Sequence, residues 1–198
     1  MNETDYIILK KTPFRETSFI VSGISPEFGR IDFLMRGRLS GKAGKFFLPG
    51  LFRELHIWFQ IKKADKQGLI RADKSEFVSE FDAVSENIPG YLAACNVAAV
   101  ILANTEMMVP VPETYRAFRL FLQMIQAGNP PEPYESLVYL TLLHESGELP
   151  PQEGRAGEFL QSLLNCAGQG RAVPDGIPDS YWTKLVEWRK IVCRKMVP

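Results

Sequence analysis

The sequence predicts an α+β protein in which a strand-rich first third is followed by helices. Three observations carry this expectation. Alternating apolar and polar residues dominate up to about residue 76, and helical spacing replaces alternation after it. Glycine and proline turns cut the first part into short runs. The charge also divides: residues 1–76 hold 14 Lys or Arg against 9 Asp or Glu, and residues 77–198 hold 9 against 14. The whole chain has 198 residues, 45% of them hydrophobic, and a formal net charge of zero. That length suits one ordinary domain, or a small domain joined to a helical one. The boundary is expected near residues 76–86, dividing the chain into 1–78 and 79–198.

Five strands are expected in order. Tyr6 to Leu9 is an apolar run ending in Lys10 and Lys11, and Thr17 to Ile24 is a second. Ser25-Pro26-Glu27-Phe28-Gly29 supplies a turn, with proline presetting φ and glycine permitting the return. Arg30 to Arg38 alternates, with Ile31, Phe33 and Met35 on one face and Arg30, Asp32, Leu34 and Arg36 on the other. Leu51 to Lys63 alternates with Leu51, Leu55, Ile57, Phe59 and Ile61 at odd positions, and Leu69 to Ala72 follows a Lys66-Gln67-Gly68 break. Five short strands in about 75 residues suggest a small antiparallel barrel or sandwich.

The helices follow. Tyr91 to Asn104 is apolar almost all round, so a buried central helix is expected, with Leu92, Cys95, Ala99 and Leu102 at helical spacing. Pro112 opens another, with Phe118, Phe121, Leu122 and Ile125 as its stripe, Glu113 favouring its start and Gly128 its stop. Two shorter helices, Pro133 to Glu145 and Gly157 to Cys166, precede Gly147 and Gly168. The last spans Asp179 to Val197, with Trp182, Leu185, Val186 and Ile191 toward the core.

Several kinds of chemistry are disfavoured. The only histidines, His56 and His144, stand in no catalytic pattern such as G-x-S-x-G or H-E-x-x-H. Carboxylates form no compact constellation, so no enzyme is expected. Cys95, Cys166 and Cys193 are far apart, which suits reduced core thiols rather than a zinc site. No cofactor or metal is expected. The N-terminus lacks a signal-peptide pattern and no run of about 18 apolar residues occurs, so neither secretion nor membrane insertion is expected, and a cytoplasmic location is. Gly37 to Lys45, G-R-L-S-G-K-A-G-K, has the glycines of a phosphate-binding loop at the wrong spacing.

That loop is more informative as a polyanion contact. Arg36, Arg38, Lys42 and Lys45 lie within ten residues, interleaved with Gly37, Gly41 and Gly44, which let a phosphate backbone come close. Arg30, on the strand face of Arg36, extends the set. The competing reading is a solvated loop whose charges serve solubility. Phe28, Phe33, Phe46, Phe47, Phe52, Trp58 and Phe59 interleave with this region; stacking on bases is one role and core packing the commoner one, to which Phe33 and Phe59 are assigned by their alternation. Arg189, Lys190, Arg194 and Lys195 near the C-terminus make a second basic cluster, or complement a helix dipole.

Six segments together resemble the RecO family of recombination and repair mediators. They are Y-I-I-L at Tyr6 to Leu9, F-R-E-T-S-F-I-V at Phe14 to Val21 and S-P-E-F-G-R-I at Ser25 to Ile31, then R-G-R-L-S-G-K-A-G-K at Arg36 to Lys45, G-L-F-R-E-L-H-I-W-F at Gly50 to Phe59 and Y-E-S-L-V-Y-L-T-L-L-H-E-S-G at Tyr134 to Gly147. The likeness is best over residues 5–63, fair over 86–147 and poor beyond. It implies a five-stranded oligonucleotide-binding (OB) barrel followed by a helical domain, in a bacterial protein that binds single- and double-stranded DNA and anneals complementary strands. It implies work with RecR and the single-stranded-DNA-binding protein to load a recombinase. Carried over by position, Arg36, Arg38, Lys42 and Lys45 are DNA contacts, with Arg30 a weaker one. Many members carry a four-cysteine zinc module, whereas here E-L-P-P-Q-E-G-R-A-G-E from Glu148 to Glu158 has no cysteine. The chain is also shorter than usual at its C-terminal end, which leaves the docking surface for the single-stranded-DNA-binding protein unassigned. The alternative function is a protein-interaction module whose barrel has lost DNA binding.

Overall fold

The computed structural model describes residues 1–16, 18–36, 50–61 and 69–196. It has an α+β architecture: among the described residues, five strands close into a barrel and five helices follow. The strands are β1 (Asn2–Phe14), β2 (Ser18–Ser25), β3 (Gly29–Arg36), β4 (Glu54–Phe59) and β5 (Leu69–Ser79). The sheet runs β1-β2-β3-β5-β4 and closes through β1–β4 pairing. Neighbours are antiparallel except β3 and β5, which run parallel. Closure in this crossed order is the OB-like arrangement.

Inside the barrel sit Tyr6, Ile8, Val21, Ile31, Phe33, Leu55, Ile57, Phe59 and Ile70, so Phe33 and Phe59 are core residues. The rings of Tyr6 and Phe33 meet edge to face at 5.1 Å, and those of Phe33 and Phe59 at 5.2 Å. Gly23 leaves room for β1: a Cβ there would lie 2.1 Å from the Ile7 carbonyl oxygen and 2.7 Å from the Tyr6 ring. The Tyr6 hydroxyl reaches the carbonyls of Val21 and Ile31, each at 2.8 Å, and its one proton donates to either. Burial, with Asp32 nearby, raises its pKa well above the usual 10.0. Unfolded tyrosine ionises near its ordinary value while Tyr6 in the fold does not. Its contribution is therefore complete below about pH 10 and lost above it, at about 1.4 kcal/mol per pH unit. Urea unfolding from about pH 8 to pH 11 is expected to show Tyr6→Phe with a shallower alkaline loss and a cost near 1 kcal/mol at neutrality. Equal slopes for the two proteins would contradict this account.

The helices are α1 (Ile88–Asn104), α2 (Pro112–Gln126), α3 (Tyr134–Glu145), α4 (Gly154–Gly168) and α5 (Asp179–Val192), with 3-10 turns at Asp82–Glu86 and Cys193–Lys195. A second core, built mainly from these helices, includes Ile7, Leu9, Ile24 and Phe52 of the barrel side. This explains why Y-I-I-L is apolar without alternation: β1 is covered on both faces, Tyr6 and Ile8 by the barrel interior and Ile7 and Leu9 by the helices. Segment Met107–Val109 straps across the start of β3, where Met108 donates its N–H to the Arg30 carbonyl at 3.2 Å. Gly29, at φ +60°, leaves the Val109 carbonyl its space.

Four expectations need correction. The buried face of α1 is Gly90, Ala93, Ala94, Val97, Ala98, Val100 and Ile101. Leu92 and Ala99 point to solvent, and Cys95 and Leu102 are half-buried, so the helix is not enclosed. Small residues let α1 lie close to its neighbours, while Ile88 and Leu92 stand outside. Ile191 of α5 is 60% exposed. The inward side instead carries Leu185 and, just past the helix, Cys193, with Trp188 and Val192 packed against the core. Trp188, Val192 and Cys193 lie three, seven and eight residues after Leu185, whereas Ile191 lies six after it. β4 stops at Phe59 and leaves Ile61 exposed. Gly168 is the last residue of α4, and the left-handed position that ends the helix belongs to Gly170, at φ +68°.

The barrel and helices also share a buried polar knot. Glu54, at the start of β4, is 2% exposed. Its carboxylate accepts from the Tyr115 hydroxyl at 2.9 Å, from Arg119 Nε at 2.9 Å and from the Ser79 hydroxyl at 2.5 Å. Tyr115 and Arg119 are one turn apart on α2, so both reach the same acceptor. Burial, with Glu54 beside it, pushes the Tyr115 pKa far up.

Candidate nucleic-acid interface

Cross-strand register assembles the site at one end of the barrel. Phe14 of β1 lies opposite Ser18 of β2, and Ser18 lies opposite Arg36 of β3. Strands stand about 4.8 Å apart, so the Arg36 backbone is about 10 Å from that of Phe14. Arg15 follows Phe14 in the tight turn, with φ +57°. Leu34, two residues before Arg36, pairs with Arg71 of β5. Arg15 and Arg71 are exposed, and Lys11 is half-buried along the same hairpin. Arg15 in the turn and Arg71 on β5 therefore lie near the Arg36 backbone at the end of β3, while Lys11, opposite Val21, lies three residues farther back along the hairpin. Arg38, Lys42 and Lys45, with Phe46 and Phe47, lie outside the described residues, as does the Arg36 side chain.

Two aromatic rings of the hairpin carry cations. Lys11 Nζ sits 4.2 Å from the Phe19 ring centre, and the Arg15 guanidinium 5.2 Å from that of Phe14. Partial burial lowers the Lys11 pKa. Half-buried rings beside cations offer flat apolar faces and positive charge together, the pairing that single-stranded nucleic acid uses. Glu16 is the carboxylate of this turn.

Arg30 is placed elsewhere. Six residues of strand separate it from Arg36, about 20 Å. Its guanidinium donates to the Leu102 carbonyl at 2.9 Å and lies 3.5 Å from Asp32, tying β3 to the end of α1. Of the second basic cluster, Arg189 is engaged: Glu132 at 2.8 Å, Glu135 at 3.3 Å and the Tyr139 ring at 4.9 Å surround it. Lys190, Arg194 and Lys195 remain exposed. His56 stands 2.7 Å from Asp5 and 4.5 Å from the Trp58 ring centre, and His144 3.3 Å from Gln161. Among the described residues, no group of three His, Cys, Asp or Glu is placed to hold a metal ion, and no helix is long and apolar enough to cross a membrane.

Sequence reading alone missed Lys11, Arg15, Arg71, Phe14 and Phe19 as part of this end. K-K-T-P-F-R was in view, but only strand register brings it beside Arg36.

No family model matches the chain. It is 24% identical over 153 residues to the DNA repair protein RecO of Listeria monocytogenes serotype 4b, an overlap covering 77% of this chain and 58% of that protein. It is 25% identical over 150 residues to the DNA repair protein RecO of Listeria welshimeri serovar 6b, covering 76% of this chain and 55% of that one. The chain thus spans less than two thirds of the length of these relatives, and over most of its own length it is similar, at a distance, to proteins named RecO.

Proposed function

We propose that the chain acts in DNA repair as a RecO-like recombination mediator that binds DNA through the barrel end formed by the β1–β2 hairpin and the departure of β3. The observation that carries this reading is the register that sets the Arg36 backbone two strands from Phe14, which Arg15 follows, and two residues along β3 from Leu34, the partner of Arg71. Similarity to proteins named for DNA repair supports it. In this reading residues 1–78 form the nucleic-acid module and residues 79–198 the surface for protein partners. The loop cations Arg36, Arg38, Lys42 and Lys45 contact phosphates, while Arg30 holds barrel to helices. Neutralising phosphates on two strands lets complementary sequences approach, which is the physical basis of annealing. Single- and double-stranded DNA are the ligands, and RecR and the single-stranded-DNA-binding protein the partners through which recombinase is loaded. No catalytic step is involved.

The test is fluorescence anisotropy with a labelled single-stranded oligonucleotide at low and physiological salt. Wild type is expected to lose affinity with salt at a slope of about 0.7 per phosphate contacted. Substituting Arg36, Arg38, Lys42 and Lys45 by alanine is expected to abolish most of the binding, and Lys11→Ala with Arg15→Ala and Arg71→Ala to weaken it and flatten the slope. Binding that survives both sets would move the site. No binding at low salt would leave the protein-interaction module as the better reading.

A further inference from the structure

The outward face of α1 is unusual for a helix in water. The seventeen residues Ile88–Asn104 include no charged side chain, although half the circumference is uncovered. Ile88 is 71% exposed and Leu92 57%. With Cys95, Asn96, Ala99 and Ala103 they form one stripe at spacings of four, seven, eight, eleven and fifteen residues from Ile88, about 25 Å long. Solvent-facing helices ordinarily carry their charges there, so a stripe of this kind marks a surface that is covered in use.

We infer that the stripe is the interface between two copies of this chain, packed antiparallel across a two-fold axis between Cys95 and Asn96. Two features of the stripe are self-complementary, as an isologous contact requires. The first is bulk. Antiparallel pairing about that point sets Ile88 against Ala103 of the other copy, Leu92 against Ala99, and Cys95 against Asn96. Each large side chain meets a small one, and the small central residues permit the 8–10 Å axial approach, in order of magnitude, of packed helices. The second is charge. Glu86, exposed, stands just before α1, and Glu80 and Asp82, paired with Arg53, lie behind it. At the other end the Met196 carbonyl accepts from Asn104 at 3.3 Å, which brings Arg194 and Lys195 beside the last turn of α1. Glu106 lies just past that turn. Antiparallel packing sets the acidic end of each copy against the basic end of its mate, with the helix dipoles also opposed.

Sedimentation velocity of the full chain up to about 200 µM covers the range of weak homodimers. A monomer–dimer equilibrium is expected. Leu92→Glu and, separately, Ala99→Glu are each expected to raise the dissociation constant at least about 30-fold, the effect of burying an unpaired carboxylate, with helical circular dichroism unchanged because both positions face solvent in one copy. Glu86→Lys is expected to weaken the dimer, and adding Lys195→Glu to restore it. A short bismaleimide is expected to join two copies through Cys95, and not in Cys95→Ser. A monomer at all concentrations, or a dimer indifferent to both glutamate substitutions, would overturn the inference and give the face to a different partner.

Discussion

Arg119→Met is expected to destabilise the protein by about 3 kcal/mol, the low end of the range for removing one partner of a buried ion pair. The substitution keeps most of the aliphatic stem and removes the cation. It leaves the Glu54 carboxylate, 2% exposed, with only the hydroxyls of Tyr115 and Ser79 as donors. The estimate sits at the low end because the Arg119 side chain is itself 37% exposed, so water can partly replace it. Urea unfolding with an unchanged slope measures the loss. Adding Glu54→Gln to Arg119→Met is expected to recover part of it, since the amide carries no charge to strand. A double variant as unstable as the sum of its singles would show that the two residues act separately.

Phe118→Ala is expected to cost about 3–5 kcal/mol, as large-to-small changes at fully buried aromatics do. Phe118 is fully buried between Phe52, whose ring centre is 6.2 Å away, and Phe121, at 6.1 Å. Phe52 joins β1 through its N–H, which donates to the Ile8 carbonyl at 2.8 Å. Removing the Phe118 ring opens a cavity where barrel and helices meet, and neither side can close it alone. For a chain of this size, a midpoint fall of about 10 °C follows in a thermal melt. A loss below about 1 kcal/mol would mean that the surrounding side chains collapse into the space.

Legibility in the sequence tracked how much of each element's surroundings are local. The α2 stripe of Phe118, Phe121, Leu122 and Ile125 was readable because Glu113, Arg116 and Arg119 mark its other side. The β3 alternation was readable for the same reason. α1 has no charge to set its phase, so periodicity selected the outward face. Glu54 falls at an even position of an odd-apolar strand and reads as solvent-facing, yet α2 covers that side of β4. At the candidate site, the loop cations were visible as composition. The hairpin that completes the site was not, because Phe14, Ser18 and Arg36 become neighbours only through pairing across 22 residues.

Glu54 also bears on whether this barrel can be transplanted. A chain stopped after Ser79 would bare Glu54 to water, which can replace its lost donors, but would leave Ile7, Leu9 and Ile24 without their helical cover. A graft onto a scaffold that buries this face again must therefore bring donors equivalent to Tyr115 and Arg119, or replace Glu54, while one that leaves the face in water must replace the three apolar side chains. The same constraint acts on drift within the chain. A change at Glu54 becomes tolerable only alongside one on α2, so the strand and the helix are bound to vary as a pair.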